Sequence, residues 1–319
     1  DGSTPTGSAA YEKRGIAVDV PVWNPESCLQ CNLCSYVCPH AVIRPVVLTE
    51  EEAKNAPEGM KMKPMTGKPQ YKFAMVVSPL DCAGCGNCSK VCPEKVQALS
   101  MKPLASQLQE QAVFNYAVKT SVKEDVVNGP INVKNSQFRQ PLLEFSGACA
   151  GCGETPYAKL ATQLFGDRMF IANATGCSSI WGGSAPATPY TVNKKGFGPA
   201  WQNSLFEDNA EFGLGMALGQ NAIRDRLAEY VATIQKDTDS EDLKNACQNY
   251  LDTITDSTSS RAATDVLIAE LEKNVDDAKV GELAKKTLVD KDILAKKSMW
   301  ILGGDGWAYD IGFGGLFHV

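Results

Sequence analysis

Cys28-Leu29-Gln30-Cys31-Asn32-Leu33-Cys34-Ser35-Tyr36-Val37-Cys38-Pro39 returns 54 residues later as Cys82-Ala83-Gly84-Cys85-Gly86-Asn87-Cys88-Ser89-Lys90-Val91-Cys92-Pro93. Every cysteine and the closing proline keep their spacing, so the chain contains an internal duplication built on the bacterial iron–sulfur run. Three thiolates spaced two residues apart converge on three irons of one cube, because a short loop can wrap it. The fourth lies beyond that loop and serves the other cluster. The spacing therefore assigns Cys28, Cys31, Cys34 and Cys92 to one [4Fe–4S] cluster, and Cys82, Cys85, Cys88 and Cys38 to a second. Pro39 and Pro93 bend the chain after each crossing ligand. Ala83, Gly84 and Gly86 leave backbone amides free to donate to cluster sulfurs. Zinc prefers two Cys-x-x-Cys pairs, often with histidine, and a disulfide scaffold is usually shorter and secreted. Neither suits a doubled four-cysteine run.

Working outward, the 319 residues suffice for two or three domains, each with its own core. Twelve cysteines, most of them two or three residues apart as suits a metal, in a chain whose first residues lack a basic stretch and an apolar stretch, point to a reducing cytoplasm. Residue 1 is not methionine, which hints that it is not a natural start. Two histidines, His40 and His318, are too few for a zinc or haem enzyme built on imidazole. A net charge of −6 argues against a nucleic-acid partner, and no apolar run is long enough to span a bilayer. The insertion at 44–72 is rich in Lys, Glu, Pro and Met. Its Met60-Lys61-Met62-Lys63-Pro64-Met65 run resembles a soft-metal site but suits a surface loop covering the cluster module.

The expected fold class is mixed α/β and α+β: a two-[4Fe–4S] ferredoxin-like domain over 1–105, a connector or packing segment over 106–145, and a parallel α/β domain over 146–319. In the second segment 107–120 suits a short helix, and Asn128-Gly129-Pro130 is turn chemistry. In the third, 157–165 has helical spacing, 168–174 suits a buried strand, and 175–183 a loop. From Asp208 or Asn209 as cap, a helix turns Phe212, Met216, Ile223, Leu227 and Val231 to one face. Residues 237–297 read as an insert of three further surface helices, in which Cys247 is a plain buried thiol. A buried strand at 299–302 then leads into Gly303-Gly304-Asp305-Gly306.

Two further features carry chemistry. Gly147-Ala148-Cys149-Ala150-Gly151-Cys152-Gly153-Glu154 supplies a Cys-x-x-Cys pair, and Cys177 follows in Ala174-Thr175-Gly176-Cys177-Ser178-Ser179. Such a pair alone serves a redox disulfide or half a zinc site, while two upstream clusters and no nearby histidine favour a third cluster. Gly303-Gly304-Asp305-Gly306 is a plain turn in many proteins. At the carboxyl end of a parallel strand its glycines would admit a diphosphate to the backbone, and its aspartate would hold Mg²⁺.

These strings resemble the pyruvate:ferredoxin (flavodoxin) oxidoreductases over essentially the whole chain. The likeness runs through 9–17, both ferredoxin motifs with the long insertion, 146–157, 172–181 and 303–312. It implies a truncated thiamine-diphosphate-binding domain over 146–319. It also implies an enzyme that oxidises pyruvate with coenzyme A to acetyl-CoA and CO₂ and passes electrons through three [4Fe–4S] clusters to ferredoxin or flavodoxin. The chain would be the electron-transfer and partial thiamine-binding portion, inactive alone, of a homodimeric full-length enzyme. By the same resemblance Cys149, Cys152 and Cys177 ligate the cluster nearest the thiamine, with a fourth ligand beyond Val319. Glu154 and Cys177 line the cofactor. Gly304, Asp305, Gly306 and Trp307 form the diphosphate–Mg²⁺ loop, with Asp305 on the metal. Pyruvate and coenzyme A contacts lie outside this chain, and Phe317 stands where an acidic residue is expected. Two other readings fit the residues: a two-cluster carrier whose attached domain no longer binds thiamine, and a related 2-oxoacid oxidoreductase with another substrate.

Overall fold

Asp19–Trp23 (β1) leads into the first cysteine loop, which closes in the short helix Leu33–Tyr36 and returns along Ile43–Leu48 (β2). After a two-residue strand, Lys63–Pro64 (β3), the pattern repeats: Lys72–Val77 (β4), the second loop, the helix Asn87–Val91, and Leu99–Pro103 (β5). These elements belong to a computed structural model that describes residues 5–184, 187–205, 208–310 and 315–319.

The pairing crosses between the repeats. β1 runs antiparallel to β5 with Trp23 opposite Leu99, and β2 runs antiparallel to β4 with Ile43 opposite Val77. β3 extends the second ribbon. Each strand that follows a fourth cysteine therefore lies beside the strand that feeds the other loop. Ile43 lies five positions after Cys38 and Leu99 seven after Cys92, so the duplication holds through the loops and then slips by two. The same bond closes both ribbons, Asn24 N–H to Ala98 O and Ser78 N–H to Val42 O, each at 2.8 Å.

Apolar side chains on the inner faces of these ribbons make one core. Val20, Ile43, Phe73 and Ala74 are fully enclosed, and Trp23 meets Phe73 edge-on at 5.9 Å. The helix Glu110–Ala117 adds Val113, Phe114 and Ala117 to that core, and Val126 and Phe145 join it, so 106–145 is packed structure as well as connection. Met65 is buried, and Met60 and Met62 pack against the same core from the insertion.

Contacts divide the chain into two units. Asp1–Asp167 with Cys177–Pro199 makes the first, and Arg168–Gly176 with Ala200–Val319 the second. The first also contains the helix Thr155–Phe165. The second is built on a parallel sheet in the order β7–β6–β8, where β6 is Met169–Asn173, β7 Ala200–Asn203 and β8 Ser298–Leu302. β6 is central, with Ile171 and Ala172 wholly enclosed. β8 was expected to be buried but is half-exposed along its length, because it is an edge strand among the described residues. The helix Asn209–Asp237 packs tightly here: a Cβ on Gly213 would stand 2.7 Å from Ile301 Cγ1. Asp208 precedes that helix without capping it, accepting instead from Ser204 Oγ.

The helices of the insert are Glu241–Thr253, Ser260–Lys273 and Gly281–Val289, joined by the short Lys291–Leu294. They are more than surface helices. Leu243, Cys247, Tyr250, Leu267 and Ala284 are fully buried with Leu227, Val231 and Ile234 in a core of their own. Among the described residues no helix is long and apolar enough to cross a membrane. Residues 1–4 and the glycine-rich stretch 311–314 lie outside the described residues.

Candidate functional site

The two loops share a backbone device. Gln30 and Gly84 have φ of 57° and 68°, and Asn32 and Gly86 have 62° and 76°; each pair is related by the 54-residue shift. The left-handed turn aims the amide of Gln30 at Cys28 Sγ, 3.3 Å, and that of Gly84 at Cys82 Sγ, 3.4 Å. Ala98 N–H donates to Cys92 Sγ at 3.3 Å. Glycine adopts this conformation freely, whereas a side chain there costs about 1–2 kcal/mol. The first loop offsets that cost with side-chain bonds. Gln30 donates to Pro64 O at 2.8 Å and accepts from Thr66 N–H at 2.9 Å, and Asn32 donates to Lys134 O at 2.8 Å. Lys63 Nζ, from the insertion, reaches Pro25 O at 2.7 Å and Cys28 O at 3.0 Å.

Electrostatics groups the thiols across the repeats. Burial first, and then its thiol neighbours Cys28, Cys31 and Cys92, push the Cys34 thiol up to about 12. Burial, with Cys38 and Cys85 adding to it, likewise pushes Cys82 up to about 12. Cys88 is also raised, by burial and then by Cys38, Cys34, Cys82 and Cys85. Cys92 thus stands with the first loop and Cys38 with the second, while Cys88 also feels Cys34. Cys38, Cys82, Cys85 and Cys88 line a small recess together with Pro21 and Met101. Among the described residues no three His, Cys, Asp or Glu side chains are close enough to share a single metal ion. Since a metal must displace these protons, loading is expected to be coupled to proton release.

Sequence reasoning missed Lys159, on the helix Thr155–Phe165. It is 2% exposed, and its Nζ donates to the carbonyls of Ser35, Tyr36 (3.2 Å) and Cys38 (3.0 Å). Burial lowers its pKa to about 8. A lysine in a helix reads as solvent-facing, so no pattern marks this one. Around it, Ser35 Oγ donates to Gln137 Oε1 at 3.0 Å and Gln137 Nε2 donates to Gln163 Oε1 at 3.1 Å.

Cys149 and Cys152 share one turn, closed by Cys152 N–H to Cys149 O at 3.1 Å, with Gly151 at φ 78°. A Cβ on Gly151 would lie 3.6 Å from Cys85 Cβ, so this turn packs on the second loop. His40, beside Cys38 in sequence, places Nδ1 3.1 Å from Ser146 O. Burial lowers its pKa, against the opposing effect of the Ser146 and Cys149 backbone. Cys177 was expected in a loop; it opens the helical turn Cys177–Ser179, which continues as the wider turn Ile180–Ser184. Trp181 Nε1 from that turn donates to Glu154 Oε2 at 3.3 Å, joining the Cys177 segment to the Cys149–Cys152 segment. Glu154 is half-buried, and burial raises its pKa against that hydrogen bond. Cys149 and Cys177 are exposed.

In the second unit, Gly303, Gly304, Asp305 and Gly306 follow β8 directly. Gly303 is a packing glycine, since a Cβ would stand 2.5 Å from Trp307 Cε3 and 2.8 Å from Ala174 Cβ. Among the described residues, nothing lies within 4 Å of a Cβ on Gly304 or Gly306. Asp305 is exposed, and its Oδ1 accepts from Gly306 N–H at 3.0 Å. Trp307 is buried against Ala174 and Ala210. Phe317 is 89% exposed.

Comparison with known proteins follows the same lines. The model of a 4Fe-4S dicluster domain matches residues 27–96. A pyruvate:ferredoxin oxidoreductase of Moorella thermoacetica is 57% identical over 327 residues, covering all of this chain and 28% of the relative. A pyruvate-flavodoxin oxidoreductase of Enterobacter agglomerans is 54% identical over 334 residues, covering all of this chain and 27% of the relative. A pyruvate dehydrogenase (NADP(+)) of Cryptosporidium parvum is 45% identical over 354 residues, covering all of this chain and 18% of the relative. Over its whole length the chain is similar to a segment of these pyruvate:ferredoxin and pyruvate-flavodoxin oxidoreductases; it contains a 4Fe-4S dicluster domain and spans about a quarter of the length of the two oxidoreductases above.

Proposed function

We propose that this chain is the electron-transfer and partial thiamine-binding portion of an enzyme that oxidises pyruvate with coenzyme A to acetyl-CoA and CO₂. Ferredoxin or flavodoxin would receive the electrons. The observation that carries the reading is the contact of Gly151 with Cys85, which sets the Cys149–Cys152 turn against a loop of the dicluster domain. On this reading Cys28, Cys31, Cys34 and Cys92 hold the outer cluster, and Cys82, Cys85, Cys88 and Cys38 the middle one. Cys149, Cys152 and Cys177 give three ligands to an inner cluster. The influence of Cys34 on Cys88 supports transfer between outer and middle clusters, and the Gly151 contact supports transfer between middle and inner.

Thiamine diphosphate, when bound, supplies the carbanion chemistry of 2-oxoacid decarboxylation, and this chain's residues supply placement. Gly304 and Gly306 leave backbone open to a diphosphate, the exposed Asp305 carboxylate suits Mg²⁺, and Trp307 braces the loop from below. Glu154, half-buried and held by Trp181, is a carboxyl whose proton affinity is raised by burial. The amides of Gln30, Gly84 and Ala98 donate to cluster-binding sulfurs.

Pyruvate- and coenzyme A-dependent reduction of ferredoxin or flavodoxin by the anaerobically purified full-length protein tests this reading. Bound iron and thiamine with such activity support it. About eight irons without thiamine supports the two-cluster carrier and removes the enzyme reading.

A further inference from the structure

Among the described residues, no carboxylate pairs with Lys159. Among the described residues, the groups that act on its charge are Cys38, Arg44 and Cys34, and Arg44 is itself paired with Glu144. Three carbonyls, of Ser35, Tyr36 and Cys38, surround Nζ. An ammonium has three protons to give them, whereas a neutral amine would turn a lone pair on one of the three. The geometry therefore holds the charged form. Burying an uncompensated charge costs several kcal/mol, so a counter-charge is wanted nearby. Cys34 and Cys38 are the thiols in reach, one from each cluster-binding set. A cube bound by four thiolates is a net anion and becomes more negative by one charge on accepting an electron.

We propose that Lys159 is an electrostatic positioning residue for the two ferredoxin-type clusters: its buried ammonium supplies their counter-charge, stabilises their reduced forms, and acts most strongly on the cluster ligated through Cys38. The proposal rests on the reading of Cys34 and Cys38 as ligands of different clusters. Net charge and hydrogen bonding near the sulfurs are known levers on cluster potential. Screening is weak at a fully buried site. A lysine 2% exposed at the crossing point of the duplicated loops can therefore bias both centres at once.

The test is a redox titration, followed by paramagnetic resonance, of the iron-loaded full-length protein with Lys159 and with Lys159→Met, Lys159→Gln and Lys159→Arg. Iron content is measured in each. The expected result is unchanged iron, more negative midpoints for both clusters in the Met and Gln variants, and near-native midpoints in Arg. The larger shift belongs to the signal that Cys38→Ser perturbs. Iron-replete Met and Gln variants with native midpoints overturn the proposal. If neither neutral variant assembles clusters, Lys159→Arg decides: assembly with native midpoints supports a need for the charge, and failure to assemble shows that the site needs lysine's shape instead. Absence of the two cluster signals from the native protein would sink the ligand reading itself, a distinct outcome.

Discussion

Gly151 lies against Cys85: a Cβ at Gly151 would sit 3.6 Å from the Cβ of Cys85, and Gly151 holds φ at 78° to make the approach. At that separation an added methyl makes ordinary contact, so the demand for glycine comes from the backbone. Gly151→Ala is expected to destabilise the cluster-loaded protein by about 1–2 kcal/mol, the cost of a left-handed residue with a side chain. Thermal unfolding checks this, and a native midpoint would contradict the left-handed turn.

The crossed ligand sets make an asymmetric forecast. Cys92→Ser is expected to remove or perturb the cluster wrapped by Cys28, Cys31 and Cys34, although Cys92 follows the other loop in sequence. Iron analysis with resonance spectra checks it. Loss of the second loop's cluster, with the first intact, would show that each loop completes its own cube.

Two glycines of one turn should behave differently. Gly303→Ala drives a methyl to within 3 Å of Trp307 and Ala174, and overpacking of this kind costs about 1–3 kcal/mol. Gly306→Ala meets nothing within 4 Å, so stability is expected to change by less than about 0.5 kcal/mol, while thiamine diphosphate affinity falls. Calorimetry and cofactor titration separate the two. Unaltered thiamine binding in Gly306→Ala would remove this turn from the diphosphate site.

Glu52 carries a pH dependence. Burial pushes its carboxyl up, but hydrogen bonds from Lys123 (2.5 Å), the Thr49 amide and Ser121 outweigh this and hold it at about 2, against an ordinary 4.5. A carboxyl lowered on folding stabilises the fold wherever it is ionised in both states. Its contribution is whole above pH 4.5 and fades as pH falls toward about 2. The stability deficit of Glu52→Gln is therefore expected at neutral pH and should shrink through that window. A deficit that is constant with pH would contradict the assignment.

The eight cysteines of the two loops were legible because ligand geometry leaves so little freedom in spacing. The 54-residue repeat also held the signal for Gln30 and Asn32: they stand where the second loop has Gly84 and Gly86, so the shared turn could be read from the glycines. β7 was not legible, since Ala200-Trp201-Gln202-Asn203 is short and half polar and is a strand only because β6 lies beside it. The turn at Cys177–Ser184 was likewise hidden among small residues that suit loops and helices equally. Lys159 left no mark, because a helix pattern cannot distinguish a lysine facing water from one sealed against carbonyls. The buried core of residues 237–297 was visible in its leucines, yet its high charge made the helices read as surface.

The most direct measurement is the iron and thiamine content of the anaerobically purified full-length protein, with and without Cys149→Ser, alongside pyruvate-driven cluster reduction. The expected native result is about twelve irons, for three cubes, with bound thiamine and cluster signals that appear on adding pyruvate and coenzyme A. Cys149→Ser is expected to lower iron to about eight and to abolish that reduction while thiamine stays bound. About eight irons in the native protein, with no pyruvate-driven signal, would contradict the account and leave a two-cluster carrier.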